Sequence, residues 1–166
     1  MRIVVNAGHT KSGTGTGANG YLNESTETRK IAYALMSYLS DSKHEVIPAV
    51  FDRSANNLKE AVQLANTENA DLFVSIHLNA GGGTGCEAYT WRGQQVAQAV
   101  KACSYLKKLG FKNRGVKDGS SLYVIKNTKC TAILIEVCFV DNKADAELYN
   151  RVGIANIARA IYSAIL

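Results

Sequence analysis

The chain has 166 residues, 46% of them hydrophobic and 20% charged, with 14 glycines and a formal charge of +5. At about 150 residues per domain this is a single domain, large enough to bury roughly 70% of its unfolded surface without staples. The composition excludes a disordered, collagenous or coiled-coil chain, and no apolar run approaches the about 18 residues a membrane span requires.

Taken in order, residues 2–6 form a short apolar run ahead of a glycine loop, the pattern of a buried strand. One basic residue and an interruption at Asn6 leave no secretory h-region, so synthesis and folding in a reducing cytoplasm are expected. Residues 24–40 carry Ile31, Leu35, Tyr38 and Leu39 at helical spacing. Residues 45–50 read as a strand, with Pro48 placing it at an edge or an end. Leu58, Ala61, Val62 and Ala65 make 55–67 an amphipathic helix; 72–77 and 86–91 read as strands. The helix predicted over 94–109 stops at Gly110. A short strand is predicted over 122–125, a buried strand over 132–137 and a last helix over 153–165. This alternation predicts an α/β domain: a twisted, mostly parallel sheet flanked by helices on both faces.

Cys86, Cys103, Cys130 and Cys138 lack CxxC spacing, which excludes a zinc knuckle or redox pair and predicts plain reduced thiols. The basic residues are dispersed, and their longest run is Lys107-Lys108. The charge therefore favours a polyanionic partner without resembling a nucleic-acid-binding arm. Gly15-Thr-Gly17-Ala-Asn-Gly20 matches G-x-G-x-x-G, but His9 and several polar residues separate it from the preceding strand. It reads as a glycine-threonine loop at the wall of a groove rather than a dinucleotide fingerprint.

In open α/β sheets ligands bind beyond the carboxyl ends of the strands. Two of the three histidines, His9 and His77, stand at or just past such ends, whereas His44 reads as a solvated loop residue. Imidazole is the commonest protein metal ligand near neutral pH, and a catalytic zinc takes three protein ligands and keeps one open position. Glu24, Glu27, Glu87 and Glu136 are the candidate carboxylates. Glu24 opens the first long helix and Glu27 is its rival one turn further on. Glu136 interrupts Ile133-Leu134-Ile135 and Val137, and a carboxylate inside a buried strand requires an ion pair or a nearby cation. It suits a general acid/base beside a metal-bound water; Cys138, two residues on, shares its face by strand periodicity and is a weaker candidate ligand.

Val4-Val-Asn-Ala-Gly-His9, Gly20-Tyr-Leu-Asn-Glu24, Asp71-Leu-Phe-Val-Ser-Ile-His77-Leu-Asn79-Ala80 and Ile135-Glu136-Val-Cys-Phe139-Val-Asp-Asn142 together resemble the zinc-dependent N-acetylmuramoyl-L-alanine amidases. The likeness is to the type 3 amidase catalytic domain of cell-wall hydrolases and phage endolysins, and it spans essentially the whole chain. It implies Zn²⁺ on His9, Glu24 and His77, with Glu136 as the catalytic glutamate. Many members have Asp-Pro-Gly-His-Gly where this chain has Asn6-Ala7-Gly8-His9-Thr10. That change, Asn113-Arg114-Gly115 and Leu122-Tyr123-Val124-Ile125 resemble endolysins of phages that infect clostridia and related Gram-positive bacteria. Asn79, Arg114 and Tyr123 are the expected substrate-groove residues. The implied substrate is peptidoglycan, cut between N-acetylmuramic acid and L-alanine by a monomer that acts on the wall after release. Anionic wall polymers are the expected further partners, and nucleic acid and membrane are not. Residues 1–166 are expected to be an amidase catalytic domain without the wall-binding domain that many relatives carry. The alternatives are a zinc peptidase acting on the stem peptide and a peptidoglycan-binding module that does not cut.

Overall fold

A computed structural model of the chain, describing residues 1–41 and 43–166, places the first strand (β1) at Arg2–Ala7. Helix α1 follows at Glu24–Ser40, strand β2 at Glu45–Ala49, helix α2 at Asn57–Thr67 and strand β3 at Leu72–Asn79. Strand β4 spans Cys86–Thr90, a 3₁₀ turn Trp91–Gly93, helix α3 Ala97–Lys108 and strand β5 Asn113–Asp118. Helix α4 (Tyr123–Asn127), strand β6 (Thr131–Phe139) and helices α5 (Lys143–Val152) and α6 (Ile154–Ile165) complete the chain.

The six strands form one sheet in the order β2-β1-β3-β6-β4-β5. All pairings are parallel except β4 with β6. Strands buried on both faces read as continuous apolar runs, and Ile3, Val4, Val5, Phe73, Val74, Ile133 and Ile135 are all fully buried. One core lies between the sheet and α1, α3 and α6, around Ile31, Leu35, Leu106 and Ile161. The other lies under α2 and α4, around Ala61, Val62, Phe73 and Val124. The chain is thus a single α/β domain with helices on both faces, and Pro48 sits on the edge strand β2, where its missing N–H breaks no ladder.

Three elements differ from the sequence expectation. Leu122 to Ile125 is not a strand: Tyr123–Asn127 is a short helix that turns Val124 and Ile125 into the second core. A four-residue apolar run suits either state, and tertiary burial chose the helix. β5 was not expected because Asn113–Asp118 carries one aliphatic residue, Val116; as an edge strand it needs no apolar face. α5 was also unread, although its signal is present: the Asn142 side chain caps the helix by accepting from the Asp145 amide at 3.1 Å. The four cysteines are free thiols, as expected, and Cys86, Cys103 and Cys138 are buried.

Candidate metal centre

His9 lies just past β1 with φ 65, in the left-handed region that a side chain adopts only when its surroundings enforce it. Helix α1 supplies the enforcement. Thr28 Oγ1 donates to the Gly8 carbonyl at 2.9 Å, and Arg29 Nη2 donates to the carbonyls of His9 at 3.2 Å and Phe51 at 2.6 Å. Arg29 is buried, and its Nη1 also holds the Ser25 carbonyl at 2.7 Å. Sequence reading missed Thr28 and Arg29; their one visible trace is polarity on a helix flank that faces the sheet.

Glu24 is the first residue of α1, delivered there by the Asn23 cap, whose side chain accepts from the Thr26 amide. Its buried carboxylate accepts from the amides of Ala18 at 2.8 Å and Leu78 at 3.2 Å. Glu24 Oε1 lies 3.1 Å from His9 Nε2 and 3.2 Å from His77 Nδ1. The two imidazoles meet edge to face, with centroids 5.0 Å apart and planes at 75°.

These three residues suit a metal ion. Each offers one ligand atom, and the three atoms lie within 4.8 Å of one another. A tetrahedral ion with bonds of about 2.0–2.1 Å sets its ligand atoms about 3.3 Å apart, close to both histidine–glutamate spacings. The outer partners orient the ligands. His9 Nδ1 lies 3.1 Å from the Gly15 carbonyl, which only accepts, so with a metal bound Nδ1 would carry the proton and Nε2 would offer its lone pair to the ion. For His77 the roles reverse. Ser75 Oγ donates to Asn6 Oδ1 at 2.7 Å and accepts from His77 Nε2 at 3.1 Å, which would leave the Nδ1 lone pair for an ion beside Glu24. Asn6 is itself set by donation from Nδ2 to the Ala49 carbonyl at 2.7 Å.

Two glycines make room for this packing. A Cβ on Gly8 would collide with the His77 ring, and one on Gly17 would lie 2.7 Å from Glu24 Oε2 and 2.8 Å from His9 Cδ2. Gly17 of the G-x-G-x-x-G run therefore belongs to a strap that crosses the His9–Glu24 pair, and packing rather than a nucleotide requires glycine there.

Electrostatics separate the carboxylates. Without a metal, burial pushes Glu24 up, but hydrogen bonds from the His77 and His9 ring nitrogens that face it, with their charge, hold it well below the usual carboxylate range. Burial lowers the His77 pKa, partly offset by Glu24. Burial also acts to lower that of His9, but there the Glu24 hydrogen bond prevails and raises it. Glu136 pairs with His77 in the β3–β6 register and opens on the same cleft of about 430 Å³. Its Oε2 is the one buried side-chain polar atom without a hydrogen-bond partner among the described residues. Burial first, then the charges of Glu24 and Glu87, push it up to about 8.

The other candidates are placed as follows. Asn79 and Tyr123 line the cleft; Arg114 does not, but is tied to its edge through Glu87. Glu27 turns away from the histidines, with Oε1 on Lys30 and Oε2 on the Tyr149 hydroxyl. Cys138 is not on the Glu136 face: a register shift sets Glu136 and Phe139 opposite His77 and Asn79, and Cys138 packs in the core with Ile135 and Val137. His44 lies before β2 and meets the N-terminal amine at 3.3 Å. The sequence marks Glu87 only as a possible ligand; the antiparallel β4–β6 pairing sets it opposite Glu136, with its own hydrogen bonds to Asn79, Tyr89 and Arg114.

The family model of the N-acetylmuramoyl-L-alanine amidases, Amidase_3, matches residues 3–166. The chain is 35% identical over 167 residues to the N-acetylmuramoyl-L-alanine amidase CwlM of Bacillus licheniformis, covering 96% of this chain and 65% of that protein. Among solved structures, the catalytic domain of the CD27L endolysin targeting Clostridia difficile superposes with a TM-score of 0.89 at 30% identity, covering 99% of this chain and 96% of that one. The catalytic domain of CwlV, an amidase from Bacillus (Paenibacillus) polymyxa var. colistinus, gives 0.86 at 31% identity, with 99% and 96% covered. The chain spans about half to two thirds of the length of the first curated relatives it matches.

Proposed function

The chain belongs to the N-acetylmuramoyl-L-alanine amidase family, and we propose that it hydrolyses the amide between N-acetylmuramic acid and L-alanine in peptidoglycan with Zn²⁺ held by His9, Glu24 and His77. One observation carries the reading: three ligand atoms converge at one end of a cleft whose neighbouring wall presents Glu136 with an unpaired oxygen. When bound, zinc polarises the amide carbonyl, lowers the pKa of a coordinated water to about 7 and, as a dication beside Glu24, draws the Glu136 pKa downward.

Glu136 does the proton work. Its carboxylate takes a proton from the attacking water and passes it to the departing L-alanine nitrogen. Its unpaired Oε2 makes no protein hydrogen bond that would have to break first. Gly15 and Ser75 would hold the two imidazoles in the tautomers that present their lone pairs to the metal. Asn79 and Tyr123 on the cleft walls orient the polymer, and Arg114 contacts it at the edge. The net charge of +5 suits a wall rich in anionic polymers.

The test combines zinc content with wall lysis in wild type and His77→Ala. One equivalent of zinc, chelator-sensitive lysis and new L-alanine amino termini, with zinc and lysis lost in the variant, support the assignment. New D-amino termini or free D-alanine identify a stem-peptide hydrolase instead, and zinc without cleavage identifies a binding module. Absence of zinc from the wild type removes the mechanism.

A further inference from the structure

Beside the metal site lies a second polar cluster, and its hub is Glu87. Glu87 is buried on β4 directly opposite Glu136 on β6. Both of its oxygens are engaged. Oε1 accepts from Asn79 Nδ2 and the Tyr89 hydroxyl, each at 2.8 Å, and Oε2 accepts from Arg114 Nε at 2.7 Å. Arg114 projects from the edge strand β5, one third exposed, with its guanidinium stacked over Phe139 at 5.0 Å.

Arginine–carboxylate pairs are frequently bidentate, with the fork on both oxygens. This one is held through Nε alone, and among the described residues neither Nη1 nor Nη2 has a recorded acceptor. The planar group is fixed by Glu87 at one edge and by Phe139 on one face, with its two outer donors unused. Glu87 also holds Asn79, a lining residue of the cleft, so Arg114 is one side chain, Glu87, removed from the cleft wall. Glu24 and Glu87 both act on Glu136 through their charge, and a cation at this edge favours an anionic ligand against that field.

We propose that Arg114, pre-set by Glu87 and Phe139, binds a free carboxylate on the peptide side of the scissile amide. The group in question is the α-carboxylate of the D-glutamyl residue that follows L-alanine. The enzyme then distinguishes stem peptides in which this group is free from those in which it is amidated. A guanidinium fork pairs with carboxylate in two parallel hydrogen bonds, whereas a primary amide offers one acceptor oxygen and no charge. Discrimination of this kind comes from donors left unpaired by the wrong substrate.

This inference rests on the amidase reading. The test uses two soluble disaccharide–peptides, identical except that the second residue is D-isoglutamate or D-isoglutamine, both free of wall polymer. kcat/KM is measured from released L-alanine amino termini for wild type, Arg114→Gln and Arg114→Lys, with circular dichroism to establish folding. The expected result is a preference of about tenfold or more for the carboxylate substrate in wild type. The ratio falls toward one in Arg114→Gln and takes an intermediate value in Arg114→Lys, which keeps the charge and loses the fork. A wild type that cleaves both substrates without preference, or a preference that survives in both folded variants, overturns the proposal while leaving the amidase reading intact. Cleavage of neither substrate by a zinc-loaded wild type that lyses walls overturns the proposal, and release of other termini from those walls overturns the amidase reading with it.

Discussion

Glu87 and Glu136 are cross-strand partners on β4 and β6, yet their carboxyl groups have opposite surroundings. Glu87 has both oxygens hydrogen-bonded; burial acts to raise its pKa, but the Arg114 and Tyr89 hydrogen bonds prevail and lower it. Glu136 has a shielded oxygen without a partner and is pushed up to about 8. Neighbouring carboxyl groups driven apart in this way mark a division of labour: one holds a charge, the other can move a proton.

Glu136→Gln keeps the shape of that side chain and removes its proton chemistry. Amide hydrolysis is expected to fall by about 10²–10⁴-fold, the usual contribution of a positioned acid/base. Zinc measured by mass spectrometry should remain at the wild-type level, because Glu136 is outside the cluster of His9, Glu24 and His77. Activity retained within a few-fold would remove Glu136 from the mechanism.

The same group sets a pH dependence of stability in the metal-free protein. Its pKa rises on folding from 4.5 to about 8, so the native state holds the proton more tightly than the unfolded chain. Stability from this group is fully present below about 4.5 and declines as pH rises toward 8. His9, whose pKa is also raised, adds a decline of the same sign, so wild type must be compared with Glu136→Gln. In urea titrations from pH 5 to pH 9 the variant should gain stability relative to wild type as pH rises. A constant difference would contradict the raised pKa.

Ser75→Ala removes the hydroxyl between Asn6 and His77 and leaves His77 Nε2 without its acceptor. Loss of such an outer partner typically costs 10–100-fold in metal affinity. Competition against a chromophoric chelator should show a drop of that order with folding preserved. Unchanged affinity would mean that the His77 tautomer is set by something other than Ser75.

Gly17→Ala tests the strap. The backbone there has φ +77, and the added Cβ would press on Glu24 Oε2 and His9 Cδ2. Gly153, at φ +78 with nothing within 4 Å and between α5 and α6, is the control for the conformational cost alone. Each substitution should destabilise by more than about 1 kcal/mol in denaturant titration. Only Gly17→Ala should also weaken zinc binding; equal zinc affinity in the two variants would separate the strap from the metal site.

The central strands could be read from residue order because they are buried on both faces. A run such as Ile3-Val4-Val5 or Ile133-Leu134-Ile135 has few other uses in a chain of this composition. His9, His77 and Glu136 stood out for the related reason that polar groups end or interrupt those runs. Edge strand β5, helix α4 and the cap of α5 were missed or misread because solvent exposure and packing decided them. Pairing at a distance decided the rest. Thr28 and Arg29 matter through carbonyls twenty or more residues away, and Glu87 through a hydrogen bond to Arg114 across 27 positions. Residue order supplied the chemistry of the ligands, because a buried strand tolerates histidine or glutamate only where something binds it. Only the tertiary fold decided which nitrogen of each histidine is free, which glutamate keeps an unpaired oxygen and which arginine keeps an unused fork, because each depends on partners that adjacency in sequence does not specify.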